Sequence, residues 1–201
     1  LEVETPMLHS VAGGAAARPF KTHHNALDME LFMRIAPELH LKRLLVGGFP
    51  RVFEMNRCFR NEGLSIKHNP EFTSIEFYEA WATYEDHMRL TEDLLNGLVN
   101  KLYGKDTITF QGKEISFAKP FKRLPMRNAV MEATGLSEAD TRNSLKMIDL
   151  LRKHGHEEYK IKHLSSDKLM VLCFEEFAEK TLIDPTFITE FPTEISPLAR
   201  R

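Results

Sequence analysis

Two long segments of strand character, separated by a polar stretch, constrain the fold of this chain more than any other feature. Residues 51–60 and 71–81 are rich in Phe, Val, Ile, Tyr and Trp, and residues 61–70 between them are mostly polar. Aromatic and β-branched residues favour strands, so the segments are predicted to pair as antiparallel strands. A connection longer than the roughly two to five residues of a tight hairpin costs entropy to order and tends to be functional. We therefore expect a site beside this loop.

Side chains alternate between the two faces of each predicted strand. One face of the second strand is aromatic, acidic and phenolic, and carries Phe72, Ser74, Glu76, Tyr78 and Ala80. The opposite face is more apolar, is expected to be the covered one, and carries Thr73, Ile75, Phe77, Glu79 and Trp81. The first strand alternates in the same way, with Glu54, Asn56, Cys58 and Arg60 on one face.

An arginine beside several carboxylates suits a small ligand that carries both a carboxylate or phosphate and a cationic group. The guanidinium fork grips a carboxylate or phosphate at two points, which lysine cannot do. Taken singly, a strand residue such as Glu76 or Tyr78 is more often solvated, Arg60 more often forms a surface ion pair, and a loop histidine such as His68 is more often simply exposed. The residue pattern alone thus predicts a small-molecule site on a mixed sheet.

The rest of the chain adds helices around these strands. A proline at a first helical turn, a near capping box and terminal glycines are the main signals. They predict a short helix between Pro37 and Gly47, a longer helix between Thr83 and Gly104, a hairpin over 107–117, a mostly helical stretch over 125–183, and a strand over 186–191.

Composition excludes several classes of protein. The 201 residues are 42% hydrophobic, with 27 Lys and Arg against 29 Asp and Glu, so a chain-wide basic surface for nucleic acid is excluded. No apolar run approaches the roughly 18 residues of a membrane span. The two cysteines, Cys58 and Cys173, match no metal or redox spacing and predict reduced thiols in the cytoplasm. Because Leu1 opens an alternating run over 1–8 that is typical of a strand interior, we expect a fragment of a longer chain.

The loop and its strands resemble motif 2 of the class II aminoacyl-tRNA synthetases. The residues that carry the resemblance are 57–63 (RCFRNEG), 68–73 (HNPEFT) and 76–78 (EFY). Upstream, residues 4–8 (ETPML) resemble the end of motif 1, whose proline lies at a dimer interface. Within the class, residues 12–20, 22–28 and 34–39, and the stretch from 185 to 201, are similar to the lysyl-tRNA synthetases.

The resemblance implies a role for each matching residue. The arginine that matches Arg60 is the catalytic residue, and bridges the carboxylate of L-lysine and the α-phosphate of ATP. Glu76 and Tyr78 match the residues that hold the lysine ε-ammonium, and Gly14 and Glu38 match those that take the α-amino group. The ATP-binding positions are Arg60, Glu62 at the adenine edge, His68 near the phosphates, and Phe72 stacked on adenine.

The resemblance also implies an α+β fold, in which an antiparallel sheet is flanked by helices. We expect a catalytic core segment over 1–122, a helical insertion over 123–183 and a return to the core over 184–201. Motif 3, the carboxylates that hold Mg²⁺ and an anticodon-binding barrel have no match here, so no metal site is expected in this chain and its isolated activity should be weak or absent. The implied partners are L-lysine, ATP and tRNA(Lys), in a homodimer without a membrane anchor.

Two alternatives remain open from the sequence. One is a related enzyme that lacks the anticodon domain and attaches lysine to a protein; residues 23–28 (HHNALD) favour the tRNA enzyme over it. The other is a non-catalytic module that keeps the fold and binds lysine or a partner without turnover.

Overall fold

The computed structural model describes residues 1–15, 17–66 and 68–196. The chain divides into two compact units, Leu1–Thr83 and Tyr84–Arg201. The last part of the stretch that resembles the synthetases, residues 197–201, lies outside the described residues, as do Ala16 and Lys67.

The first unit contains the predicted strand pair, the short helix and a small additional sheet. Its elements are β1 (Leu8–His9), β2 (Lys21–His24), β3 (Met29–Met33), α1 (Glu38–Val46), β4 (Arg51–Phe59) and β5 (Glu71–Glu79). Strands β1, β3 and β2 form an antiparallel sheet in that order, and β4 pairs with β5. Both the short helix and the strand pair predicted from the sequence are confirmed.

Strands β4 and β5 are antiparallel along their whole length. Glu54 lies opposite Glu76, Asn56 opposite Ser74 and Cys58 opposite Phe72. Since directly opposed residues point to the same face, this register places the predicted polar residues of both strands together. The sequence therefore predicted the shared face correctly.

The expectation that the apolar face is the covered one is wrong. Met55, Ile75 and Trp81 are 59%, 49% and 102% exposed, whereas Glu54 on the polar face is 1% exposed. Helix α1 contacts both β4 and β5, and a buried arginine neutralises Glu54, so polar side chains can be enclosed without a large penalty. Apolar character alone did not indicate the direction of burial.

The opening run over 1–8 is not one continuous strand. Glu2 forms an isolated parallel bridge with Phe53, and regular pairing resumes only in β1. Between them, Pro6 has no backbone N–H, and the N–H of Thr5 donates to the carboxylate of Glu54 at 3.2 Å. The strand pairing is interrupted here because the backbone N–H of Thr5 donates to a side chain instead of to a neighbouring strand.

The second unit is mainly helical. Its helices are α2 (Tyr84–Tyr103), α3 (Met126–Thr134), α4 (Glu138–Thr141), α5 (Ser144–Lys153), α6 (Glu158–Ile161) and α7 (Ser166–Cys173). A π-helical turn (Phe174–Ala178) and two 3₁₀ turns (Glu179–Thr181 and Thr193–Ile195) complete it. Its strands are β6 (Thr107–Phe110), β7 (Lys113–Ser116), β8 (Lys122–Pro125) and β9 (Thr186–Thr189).

The core of this unit is formed by the helical stretch. Met147, Leu151 and Leu169 are fully buried there, together with Met126, Ala129, Val130, Ile161, Met170, Cys173 and Ala178. The predicted long helix, hairpin and helical stretch are confirmed. The returning strand β9 is also confirmed, and it pairs in parallel with β8, whereas the other strand pairs are antiparallel as expected.

The secondary structure is α+β, as predicted. The division at 122 and 183 remains a prediction. Among the described residues, no helix is long and apolar enough to cross a membrane. Cys58 and Cys173 are both free and buried, and burial raises the pKa of the Cys173 thiol to about 12.

Candidate active site

A carboxylate and a phenol lie side by side on the polar face of β5. The hydroxyl of Tyr78 donates to Oε2 of Glu76 at 3.0 Å, and both side chains are half-buried. Burial raises the pKa of Glu76, against the opposing effects of the Tyr78 hydrogen bond and nearby arginines. Burial and the adjacent carboxylate also raise the pKa of Tyr78. This pair offers negative charge and a fixed hydrogen-bond geometry to a cation.

A second carboxylate, Glu38, approaches the same place from α1. Its charge contributes to raising the pKa of both Glu76 and Tyr78, so the three groups form one electrostatic cluster. Here Glu38 accepts a salt bridge from Lys42, one helical turn away, at 2.6 Å. Two carboxylates from different elements suit a ligand with two ammonium groups.

Gly14 lies against the start of α1. It has a φ of +93°, and a Cβ added to it would lie 3.2 Å from the carbonyl oxygen of Ala36 and 3.5 Å from Cβ of Glu38. Only glycine combines this left-handed conformation with such close approach. The structure thus brings Gly14 and Glu38 together, with Gly14 partly exposed.

Arg60 follows β4 and lies over the ring of Phe72, with its guanidinium carbon 5.1 Å from the ring centroid. Its backbone N–H donates to the carbonyl oxygen of Pro70 at 2.8 Å, which fixes the start of the loop. Among the described residues, Nε of Arg60 is buried without a hydrogen-bond partner. An unsatisfied guanidinium nitrogen of this kind is costly unless an anionic ligand completes it.

The loop between β4 and β5 encloses a cleft of about 490 Å³ beside Arg60. It is lined by Arg60, Glu62, Gly63, His68, Asn69, Pro70 and Phe72. Glu62 accepts a hydrogen bond from the backbone N–H of Arg18 at 3.2 Å, and Nδ1 of His68 lies 2.7 Å from the hydroxyl of Ser65. The four residues predicted to meet a nucleotide therefore share one cavity.

Strand β5 links the two groups of residues. The charge of Arg60 opposes the rise of the pKa of Glu76, and Phe72 and Glu76 project from the same face of β5. All eight predicted site residues lie in the first unit. The site can hold an anion at Arg60, cationic groups at Glu38 and Glu76, and a planar ring at Phe72.

Sequence reasoning missed the counter-charge beneath this site. Arg34, at 1% exposure, donates from Nη1 to Oε1 of Glu54 at 2.6 Å. The signal that could have revealed Arg34 is the pairing of β4 with β5. This register places Glu54 opposite Glu76, and two opposed glutamates need a cation nearby.

A larger groove of about 780 Å³ lies in the second unit. Its two arginines, Arg89 and Arg123, already form salt bridges with Asp86 and Glu92. The groove therefore differs from the smaller cleft, where Nε of Arg60 has no hydrogen-bond partner among the described residues. Among the residues that the structure describes, no group of three or more His, Cys, Asp or Glu side chains could hold a metal ion.

Comparison with known proteins identifies the family of this chain. The family model described as tRNA synthetases class II (D, K and N) matches residues 1–201. The chain belongs to this family.

Its relatives within the family are lysine–tRNA ligases. The chain is 55% identical to the lysine–tRNA ligase of Variovorax paradoxus, 52% identical to that of Carboxydothermus hydrogenoformans and 53% identical to that of Dichelobacter nodosus. Each match covers 100% of this chain but only 39%, 41% and 40% of the relative. The chain therefore spans about two fifths of the length of these curated relatives.

Proposed function

We propose that this chain forms part of the catalytic domain of a lysine–tRNA ligase. In that role it activates L-lysine with ATP to lysyl-adenylate and supports transfer of lysine to tRNA(Lys). The observation that carries the proposal is the buried Nε of Arg60, which has no hydrogen-bond partner among the described residues, together with the Glu76–Tyr78 pair on the neighbouring strand β5. The names of the relatives support the same reaction.

The activation step needs positioning more than proton transfer. A carboxylate oxygen of lysine attacks the α-phosphorus of ATP, a new O–P bond forms, and pyrophosphate leaves with the electrons of the broken P–O bond. Arg60 holds the attacking carboxylate and the α-phosphate together and offsets their negative charge. Because the α-carboxyl group is already ionised at neutral pH, no general base is required.

The choice of lysine rests on the two carboxylates. Glu76 meets the ε-ammonium, Tyr78 fixes its direction, and Glu38 with the Gly14 backbone receives the α-ammonium. Binding of the α-ammonium displaces Lys42, which occupies Glu38 at 2.6 Å in this structure. On the ATP side, Phe72 stacks on adenine, Glu62 lies at its edge and His68 meets the phosphates.

The remaining assignments complete the proposal. In the transfer step, a hydroxyl of the tRNA 3′ end attacks the lysyl carbonyl and releases AMP. The described residues include no cluster of three or more His, Cys, Asp or Glu side chains that could hold a Mg²⁺ ion. Pro6, Met7 and Leu8 are exposed, which supports a homodimer interface at the segment that resembles motif 1. We assign residues 123–183 to an insertion. The buried free thiols support a cytoplasmic setting.

Selective binding of lysine tests the proposal directly. Titration of the chain with L-lysine, followed by NMR, should show saturable binding that perturbs residues of β5. Norleucine matches the aliphatic chain of lysine but lacks the ε-ammonium, and should bind at least about tenfold more weakly, because a buried carboxylate then lacks its partner. Equal binding of the two amino acids would contradict the proposal.

A further inference from the structure

Arg34 is a buried cation that takes no direct part in the proposed reaction. It follows β3, and its Nε donates to the carbonyl oxygen of Arg57 at 2.7 Å while Nη1 donates to Glu54 at 2.6 Å. Among the described residues, its Nη2 is buried without a hydrogen-bond partner. A buried ion pair contributes little net stability compared with apolar residues of similar size. Its presence under a ligand site therefore calls for a role beyond packing.

Glu54 connects this arginine to the site. It lies directly opposite Glu76 on the neighbouring strand, and both side chains point to the same face. Thr5 holds Glu54 in place, donating from its hydroxyl to Oε2 at 2.7 Å. Two unscreened carboxylates opposite each other would repel and compete for one proton. Arg34 prevents this by balancing the charge of Glu54.

The charged and titratable groups around Glu76 come from every element packed against it. They are Tyr78 on β5, Glu54 and Cys58 on β4, Arg60 after β4, Arg34 after β3, and Glu38 on α1. Burial and Glu38 raise the pKa of Glu76, while the Tyr78 hydrogen bond, Arg34 and Arg60 lower it. For Glu54, burial raises the pKa, but the hydrogen bonds from Thr5 and Arg34 outweigh it and the pKa lies below its usual value.

We propose that Arg34 is a positioning residue of the lysine site: held by Glu54 and Thr5, its guanidinium balances the charge of Glu54 and keeps Glu76 available as an anion for the ε-ammonium of the substrate. The inference rests on the proposed function, because it concerns how the same site binds lysine. Arg34 acts through Glu54 and Glu76 rather than by touching the ligand.

Two substitutions should change the pH dependence of lysine affinity in opposite directions. In Arg34→Met, the uncompensated charge of Glu54 favours protonated Glu76, so lysine must displace a proton and its affinity begins to fall at a higher pH than in the unmodified chain. In Glu54→Gln, the uncompensated charge of Arg34 favours ionised Glu76, so the fall in lysine affinity on acidification moves to lower pH. Repulsion between Arg34 and the ligand also weakens lysine binding at every pH. The double variant, which carries both Arg34→Met and Glu54→Gln, restores the charge balance. Its pH profile of lysine affinity should return towards that of the unmodified chain.

The test is the lysine dissociation constant of the chain, followed by NMR titration between about pH 5 and pH 8. For Arg34→Met, the constant should rise about tenfold per pH unit below the shifted pKa, starting at a higher pH than in the unmodified chain. Arg57→Met is the matched control, since Arg57 lies on the opposite face and pairs with Glu71 at the surface; its profile should not move.

Each outcome decides the inference. Shifts of opposite sign in Arg34→Met and Glu54→Gln support it, and an unchanged profile in both, or shifts in the same direction, overturns it. If Arg34→Met does not fold, the near-isosteric Glu54→Gln decides by the direction of its shift. Failure of the unmodified chain to bind lysine at any pH would instead refute the proposed function.

Discussion

Glu76 has two properties that disfavour its negative charge: it is half-buried, and the charge of Glu38 on α1 acts on it. Both raise the pKa of its carboxyl group, and the charge of a bound ammonium group would offset both effects. The site is therefore built to gain from a cation. We propose that the choice of ligand follows from electrostatics at these single side chains.

Replacing Glu76 by Gln tests this assignment with little change of shape. Lysine binding should weaken by about 2 to 5 kcal/mol, because one partner of an enclosed charge pair is lost. Calorimetry or NMR titration measures the change. Glu79→Gln is the control on the same strand, since Glu79 lies on the opposite face and pairs with Arg51 at 2.8 Å. Unchanged lysine affinity in Glu76→Gln would show that Glu76 does not meet the ε-ammonium.

Arg60→Lys separates charge from geometry. Lysine keeps the positive charge but not the two-point fork, so catalysis should fall by a factor of about 10² to 10³. The reaction is measured in a chimera in which this chain replaces the matching segment of the Variovorax paradoxus ligase. Arg57→Lys, exposed on the other face of β4, should retain the rate of the unmodified chimera. A fully active Arg60→Lys chimera would remove Arg60 from the mechanism.

The eight proposed site residues come largely from the resemblance, and all of them lie in the first unit of the structure. The sequence did not reveal Arg34, because the pairing of Arg34 with Glu54 depends on how the segment after β3 packs beneath β4. Nor did it reveal that Lys42 occupies Glu38. Both contacts depend on tertiary packing and rotamers, which a strand pattern does not encode.

Among the elements, those with strong local signals were predicted best. The β4–β5 pair follows from aromatic and β-branched composition, and α1 and α2 follow from their apolar spacing and terminal residues. The pairing of β8 with β9 was missed, because the strands are far apart in sequence and a parallel pair leaves no turn signal between them. The direction of burial of β5 was also missed, since a buried ion pair reversed the usual preference.

Two glycines of the second unit test how local conformation stabilises its helices. Gly135 ends α3 with a φ of +73°, and its N–H donates to the carbonyl oxygen of Met131 at 2.9 Å. Alanine there should lower the free energy of unfolding by about 1 to 2 kcal/mol, the cost of a left-handed residue with a Cβ. Urea denaturation followed by circular dichroism measures it.

Gly97 is the matched site, because it lies inside α2 and a Cβ added there meets no atom within 4 Å. Alanine at this position should raise the free energy of unfolding by about 0.5 to 1 kcal/mol through better helix propensity. Stabilisation by Gly135→Ala, or destabilisation by Gly97→Ala, would contradict the backbone conformations described for these two helices.

For the whole molecule, the two units have different characters. The first carries all the proposed site residues on strands, a loop and a short helix, whereas the second buries its apolar side chains mainly among helices. Length, charge and cysteine spacing could exclude classes of protein, but they could not locate the site. Family membership and the site geometry together support the proposal that the first unit takes part in amino-acid activation.

The central claim is that this chain belongs to an enzyme that activates lysine. The most direct measurement is lysine-dependent exchange of radioactive pyrophosphate into ATP by the chimera with the Variovorax paradoxus ligase, compared with the isolated chain. We predict that the chimera catalyses exchange with lysine but not with norleucine. Exchange should be lost in the Glu76→Gln chimera, and the isolated chain should show weak or no exchange. A folded chimera that shows no lysine-dependent exchange would contradict the account.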